Sequence, residues 1–287
     1  AMLSFCHMIL SNEEPFFLKL VQTLLGVDGL SGQLFVVTHS TDALVNDYRQ
    51  IIRLYWDEKK LVQAACGASF HFDREIEKHL IMHFPEVKEA LYARAAVLVE
   101  GETEYGSFAG FAKTLGIRFD HYGICLINAR GESSISKIAS LIRRFHVPVV
   151  SLYDRDVMGE HKKSAGVFYT DYICYEMDVV KACLFQNGRR LLDAVIADIT
   201  EGGNLVSSAL VKKAGAKLAI PKGYYPPRKL SNINPRDEKA LEFYYFAWLY
   251  GNKGGIIGRS LADHLGKDFI PPAFVQVILA AVGASEK

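Results

Sequence analysis

Two apolar runs, each broken off by carboxylates, constrain the fold of this chain more than any other feature. Ala95-Ala-Val-Leu-Val99 reads as a buried strand and runs straight into Glu100-Gly-Glu-Thr-Glu104. Val147-Pro-Val-Val-Ser-Leu-Tyr153 reads the same way and ends in Asp154-Arg-Asp156. Open α/β sheets place their sites at the carboxyl ends of their strands, so Glu100, Glu104, Asp154 and Asp156 are expected on one edge. Hard oxygen ligands gathered there suit Mg²⁺ or Mn²⁺.

The surrounding pattern supports such a sheet. Periodicity predicts a strand at 95–99, a helix over about 103–115, a strand at 122–127, a helix over about 133–145 and a strand at 147–153. Short strands separated by helices of this length imply parallel crossovers with helices on the sheet faces. A further strand-like piece, Gly166-Val-Phe-Tyr169, precedes the acidic segment Asp171 to Asp178. Beyond Lys181 the chain reads as mostly helical, interrupted by the Pro-rich stretch Pro221 to Pro235. Upstream, Phe16 to Leu25 has helical spacing, and Gln33-Leu-Phe-Val-Val-Thr38 reads as a buried strand ending at His39-Ser40. Ile51 to Tyr55 and Leu61 to Gln63 flank Asp57-Glu-Lys-Lys60 as a hairpin, and a polar helical stretch follows from Asp73 to Tyr92. A domain boundary is expected near residue 93.

Length and half-apolar composition allow one large domain, or one domain and part of another, with a substantial core. The net charge of +1 conceals a basic bias between Val211 and Lys267, which fits a polyanionic partner. Five cysteines without zinc-like spacing predict a reduced, cytoplasmic protein. No run has the length of a membrane span, and the opening residues lack the regions of a signal peptide. That opening is expected to be an internal boundary of a longer chain.

Gly101 permits a tight turn into a helix, which sets Glu100 and Glu104 around one small volume. The ordinary alternative is that acids simply favour helix amino-termini. Asp154 and Asp156 are two apart, so an extended backbone would turn both to one face. A solvated turn is the bland reading of that pair taken alone. Clustered like charges repel unless some protonate or a cation binds, and a divalent ion resolves the conflict.

These residues resemble the Toprim domain, whose signature is a strand-borne Glu followed by Gly and further acids, then an Asp-x-Asp after a later strand. Glu100-Gly-Glu-Thr-Glu104 and Asp154-Arg-Asp156 match both elements. The segment Leu34-Phe-Val-Val-Thr-His-Ser-Thr-Asp-Ala-Leu44 resembles the switch-histidine strand of ABC-type ATPases, with His39 in the sensing position. Met8-Ile-Leu-Ser-Asn-Glu-Glu-Pro15 is similar to a weakened Walker B, with Glu14 as the water-activating acid. An ABC-type ATPase end running into a Toprim domain is the arrangement of the OLD (overcoming lysogenization defect) nucleases, relatives of the Gabija-type defence nucleases. The resemblance implies residues 1–92 as the end of an ATPase domain and 93–287 as a Rossmann-like α/β Toprim domain with a helical carboxyl-terminal region.

It further implies a metal-dependent DNA endonuclease using one or two Mg²⁺ or Mn²⁺ ions held by Glu100, Glu104, Asp154, Asp156 and Glu176, with Asp171 or Asp178 competing with Glu176. Lys253, in Gly251-Asn-Lys-Gly-Gly255, resembles the family's later lysine and would stabilise charge on the phosphate. Its bland reading is a glycine-rich connector before a helix. Arg228, Lys229 and Arg259 are the expected DNA contacts, and Tyr224-Tyr225 reads either as a stacking platform for unpaired bases or as a packed surface loop. No Gly-x-x-x-x-Gly-Lys-Ser/Thr occurs in these residues, so ATP would act only in a longer protein. A homodimer or larger homo-oligomer, a helicase-like partner and a role in phage defence or DNA repair follow from the resemblance, with no membrane involved. The rivals are another Toprim enzyme, such as a topoisomerase, primase or maturase-type ribonuclease, and a noncatalytic DNA-binding module with a structural ion.

Overall fold

A computed structural model describes residues 37–40, 44–159, 164–200, 205–221 and 227–286. The Walker B-like segment with Glu14, the helix at 16–25, most of the strand at 33–38 and Tyr224-Tyr225 lie outside the described residues. The chain divides into two compact units, one comprising the described residues up to Tyr92 with Arg144–His146, the other Ala93–Arg143 with Val147 onward.

In the first unit, β1 (Ile52–Trp56) and β2 (Val62–Cys66) form the antiparallel hairpin expected around Asp57-Glu-Lys-Lys60. Asp57 fixes the turn, its carboxylate accepting from the backbone N–H of Lys59 and Leu61. Helix α1 (Arg74–Val87) starts at Asp73, whose side chain accepts from the Ile76 N–H, and passes into a 3₁₀ turn at Lys88–Tyr92. Tyr48 anchors the unit's interior, edge-on to Phe72 and Phe84.

The second unit is built on a four-stranded parallel sheet in the order β4-β3-β5-β6, with β3 at Ala95–Val99, β4 at Ile124–Asn128, β5 at Val149–Tyr153 and β6 at Val167–Tyr169. Every residue of β3 and β5 is buried, which explains why both read as unbroken apolar runs. Helix α2 (Glu102–Thr114), the short α3 (Phe119–Tyr122) and α4 (Glu132–Arg144) make the connections. The chain leaves β3 towards β4 on one side, whereas β5 leads to β6 on the other. The crevice between the carboxyl ends of β3 and β5 is therefore the topological switch point.

The remaining helices are α5 (Tyr175–Phe185), α6 (Arg189–Ile199), α7 (Ser208–Lys217), α8 (Glu238–Gly251), α9 (Gly255–His264) and α10 (Pro272–Ser285). Alternate strand residues Val97, Val99, Val150 and Leu152 share one core with Phe108 and Phe111 of α2 and Phe274 of α10. Helix α8 is apolar on most of its surface beyond Glu242 and runs through this core, burying Phe243, Tyr244, Phe246 and Trp248. Among the described residues no helix is long and apolar enough to cross a membrane.

Helices α2 and α9 cross at unusually short range. A Cβ at Gly258 would fall 2.1 Å from the Thr103 carbonyl oxygen, one at Gly106 2.3 Å from that of Gly255, and one at Gly110 2.5 Å from Ala262 Cβ. Only a seam of residues without side chains lets the two backbones meet in this way. The seam carries the start of α9, and the lysine before it, against the first turn of α2.

Candidate active site

The switch-point crevice gathers the acids. Glu100 ends β3, and Gly101 caps α2 in an extended conformation, so Glu104 falls in the first helical turn. A side chain at Gly101 would crowd Glu104, meeting its Oε2 at 3.1 Å. Asp154 ends β5 and is buried, its Oδ1 accepting from the backbone N–H of Tyr175 at 2.9 Å. Glu176, one residue further along α5, is 1 % exposed.

Burial is the first cause of the abnormal acidity here. It pushes Asp154 up to about 8 and Glu104 up to about 7, with Glu176 the strongest neighbouring charge acting on each. Glu100 is raised for the same reason, with Lys253 partly offsetting the effect. These carboxyls share too little water and too much like charge to ionise independently.

Lys253 supplies the opposing charge. Its Nζ lies 2.8 Å from Glu176 Oε1 and 4.9 Å from the centre of the Tyr250 ring. The ion pair is close, and both Glu176 oxygens are buried without a well-aligned hydrogen-bond partner among the described residues. Burial works to lower the lysine's proton affinity, but Glu176, then Glu104 and Asp154, outweigh it and hold the ammonium above the ordinary range. The approach is fixed from α2, where Thr103 Oγ1 accepts from the Gly254 N–H at 2.9 Å. Gly254 has a φ of +156°, a conformation that favours glycine.

Asp154 and Asp156 do not share a face. The backbone leaves β5 by turning into a 3₁₀ helix over Arg155–Val157, because the Arg155 N–H is taken by Thr170 Oγ1. Asp154 therefore points inward and Asp156 outward, where it forms an ion pair with Lys217 at the end of α7. Asp178 serves the fold, since its carboxylate accepts from the N–H groups of Asp171 and Tyr172 at 2.8 and 2.7 Å. Asp171 accepts from the Ala273 N–H, leaving Glu176 as the acid of this segment that faces the crevice.

Sequence pattern gives no sign of the groups that hold these acids in place. Ser107 Oγ and the Tyr175 hydroxyl are 2.5 Å apart in the core, and Tyr175 stacks on Phe274 with ring centres 4.7 Å apart. That contact locks the start of α5, and so Asp154 and Glu176, against α2. The other expected contact residues have local partners of their own or are exposed. Arg228 donates its Nε to the Val206 carbonyl, Lys229 bridges to Leu205, and Arg259 is an exposed neighbour of Asp263. His39 is exposed in the first unit.

Hard carboxylate oxygens, two of them buried without hydrogen bonds among the described residues, suit a divalent cation of the Mg²⁺ or Mn²⁺ type. Among the described residues no three possible ligands already converge at metal-binding spacing. Lys253 instead balances the charge.

A four-stranded parallel sheet with acids at the ends of β3 and β5, the second as Asp-x-Asp, defines a Toprim domain. Residues 91–156 match the family model of the "Overcoming lysogenization defect protein-like, TOPRIM domain", so this chain carries an OLD-like Toprim domain. Among solved structures, the C-terminal region of the Burkholderia pseudomallei OLD protein is similar at 18 % identity, covering 67 % of this chain and 98 % of that one, with a TM-score of 0.43. The C-terminal region of the Xanthomonas campestris pv. campestris OLD protein is similar at 16 % identity, covering 69 % and 96 %, with a TM-score of 0.44. No curated protein matches this chain.

Proposed function

We propose that the crevice between β3 and β5 is the active site of a divalent-metal-dependent DNA endonuclease. The observation that carries this reading is the convergence of Glu100, Glu104, Asp154 and Glu176 around Lys253 at a topological switch point. Glu100, Glu104, Asp154 and Glu176 would hold one or two Mg²⁺ or Mn²⁺ ions, with Asp156, whose charge still acts on Glu100, joining them from the outer edge of the crevice. When bound, such ions activate the attacking water and neutralise the leaving oxygen.

The chain's own residues supply orientation and charge. Asp154 is held by the Tyr175 N–H, and Glu104 sits on the first turn of α2 facing the same crevice. Once the acids are neutralised otherwise, the Lys253 ammonium is free to face a phosphate as a compact point charge on a long stem. Arg228, Lys229 and Arg259 are exposed cations that would track the backbone, a contact expected to weaken with salt. In a longer protein an ABC-type ATPase part, including His39 and Glu14, would regulate cleavage. Assembly as a homodimer or larger homo-oligomer, a helicase-like partner, a cytoplasmic location and a role in phage defence or DNA repair belong to the same proposal.

Incubation of the protein with supercoiled plasmid tests the reading. Conversion to nicked or linear DNA in Mg²⁺ or Mn²⁺, abolished by a chelator, is expected. Intact plasmid under both metals would leave a noncatalytic, ion-binding module as the function of the domain.

A further inference from the structure

The acid edge meets a second cation from a different direction. Lys217 is the last residue of α7, and its Nζ is paired with Asp156 Oδ2. The lysine side chain is partly buried, at 21 % exposure, and Asp156 is the more open partner at 32 %. The lysine's charge also acts on Asp154 and Glu100, so it addresses the whole edge.

Helix α7 is not an independent bystander. A Cβ at Gly251 would fall 2.5 Å from Leu210 of α7, so that helix is seated directly on the end of α8. Lys213 of α7 and Lys253 both lie against the Tyr250 ring, at 5.2 and 4.9 Å from its centre. Two ammonium groups thus reach the acids from elements in contact, Lys253 at Glu176 and Lys217 at Asp156.

We propose that Lys217 is a resident counter-ion of the acid edge that competes with the divalent cation for Asp156. The inference rests on the metal-dependent reading above and adds a residue which sets the affinity for the ion. An ammonium and a divalent cation cannot both sit on one carboxylate without strong mutual repulsion. The flexible four-carbon stem lets Lys217 withdraw while α7 stays in place. A pair that only braced α7 would leave ion affinity untouched, whereas a competitor lowers it.

The test is Mn²⁺ binding to the 287-residue chain without nucleic acid, read from the electron paramagnetic resonance signal of free Mn²⁺. Lys217→Met is expected to bind Mn²⁺ more tightly, on the order of two- to fivefold, the strength of a partly exposed ion pair expressed as a ratio. Lys217→Arg, which keeps the charge, is expected to bind as the wild type does. Should Lys217→Met lose its circular dichroism signature, Lys217→Gln carries the same expectation. Unchanged or weaker Mn²⁺ binding by the neutral variant overturns the competition while leaving the metal reading intact. Absence of Mn²⁺ binding by the wild type and every variant overturns both.

Discussion

Lys253 Nζ stands 2.8 Å from Glu176 Oε1, and the two ends of this pair live in different surroundings: the lysine side chain is 44 % exposed and the glutamate side chain 1 %. The glutamate cannot turn to water for compensation, so the lysine is the mobile partner. A charge placed this way strengthens its interaction as negative charge develops on a phosphate. Lys253→Ala is therefore expected to slow single-turnover cleavage on the order of a hundredfold, with DNA affinity changed far less. Lys253→Arg should recover binding better than rate, since a planar guanidinium does not replace a point charge. Wild-type single-turnover cleavage by Lys253→Ala at saturating DNA would reduce this lysine to a surface contact.

The same cluster makes stability depend on pH in a defined direction. Asp154 and Glu104 keep their protons in the folded protein to about 8 and about 7, against ordinary values of 3.8 and 4.5, because burial and then Glu176 disfavour their charged forms. Glu100 adds to the repulsion, while Lys253 facing Glu104 and Asp154, and Lys217 facing Asp154, oppose it. Between these limits the unfolded chain binds fewer protons than the folded one, so stability falls as pH rises and the loss is complete above the folded values. The ion-free Tm is expected to drop between about pH 5 and about pH 8.5, and the rise in Tm on adding Mg²⁺ to be larger at the higher pH. Asp154→Asn should flatten both trends. Equal Mg²⁺ increments at the two pH values would contradict the linkage.

The glycine seam between α2 and α9 carries a prediction of its own. A methyl group at Gly258 would lie 2.1 Å from the Thr103 carbonyl oxygen, a backbone atom that cannot rotate away. Gly258→Ala is expected to cost roughly 1–3 kcal/mol of stability as the helices separate. That separation would also withdraw Lys253 from Glu176. Gly283→Ala, at a position within α10 with nothing within 4 Å, is the control and should leave stability unchanged or raise it by up to about 1 kcal/mol, alanine being the better helix former. A Gly258→Ala protein as stable as wild type would show that the seam can open without cost.

Much of this site is legible in the amino-acid sequence. Strands buried on both faces leave continuous apolar runs, and the acids at their ends mark the sheet edge, so local pattern suffices to place Glu100, Glu104 and Asp154. The hairpin around Asp57 and the strand at β6 are readable for similar local reasons. What pattern does not convey is orientation after the strand. Spacing alone puts Asp156 beside Asp154, but a hydrogen bond from the Arg155 N–H to Thr170, fifteen residues along the chain, turns it outward. The glycines of 254–258 read locally as a connector or a motif; their packing role depends on α2, more than a hundred residues earlier. Lys217 stands out in the sequence only as one of many basic residues, since nothing local distinguishes a lysine that meets Asp156 from one that meets water.

The absence of a phosphate-cradling loop in these residues predicts no ATP turnover by this chain alone. Phosphate release from ATP should match the background without protein. Turnover that co-purifies with the protein and is lost in His39→Ala would contradict that expectation.

The central claim is that the acids at the ends of β3 and β5 carry metal-dependent phosphodiester cleavage. Its most direct test is plasmid nicking in Mn²⁺ by Glu100→Ala and Asp154→Ala beside the wild type, with circular dichroism confirming that each variant is folded. Loss of a ligand should remove most of the activity, on the order of a hundredfold or more in rate, and leave the fold intact because the unliganded acids repel one another. Nicking at the wild-type rate by both folded variants would contradict the account.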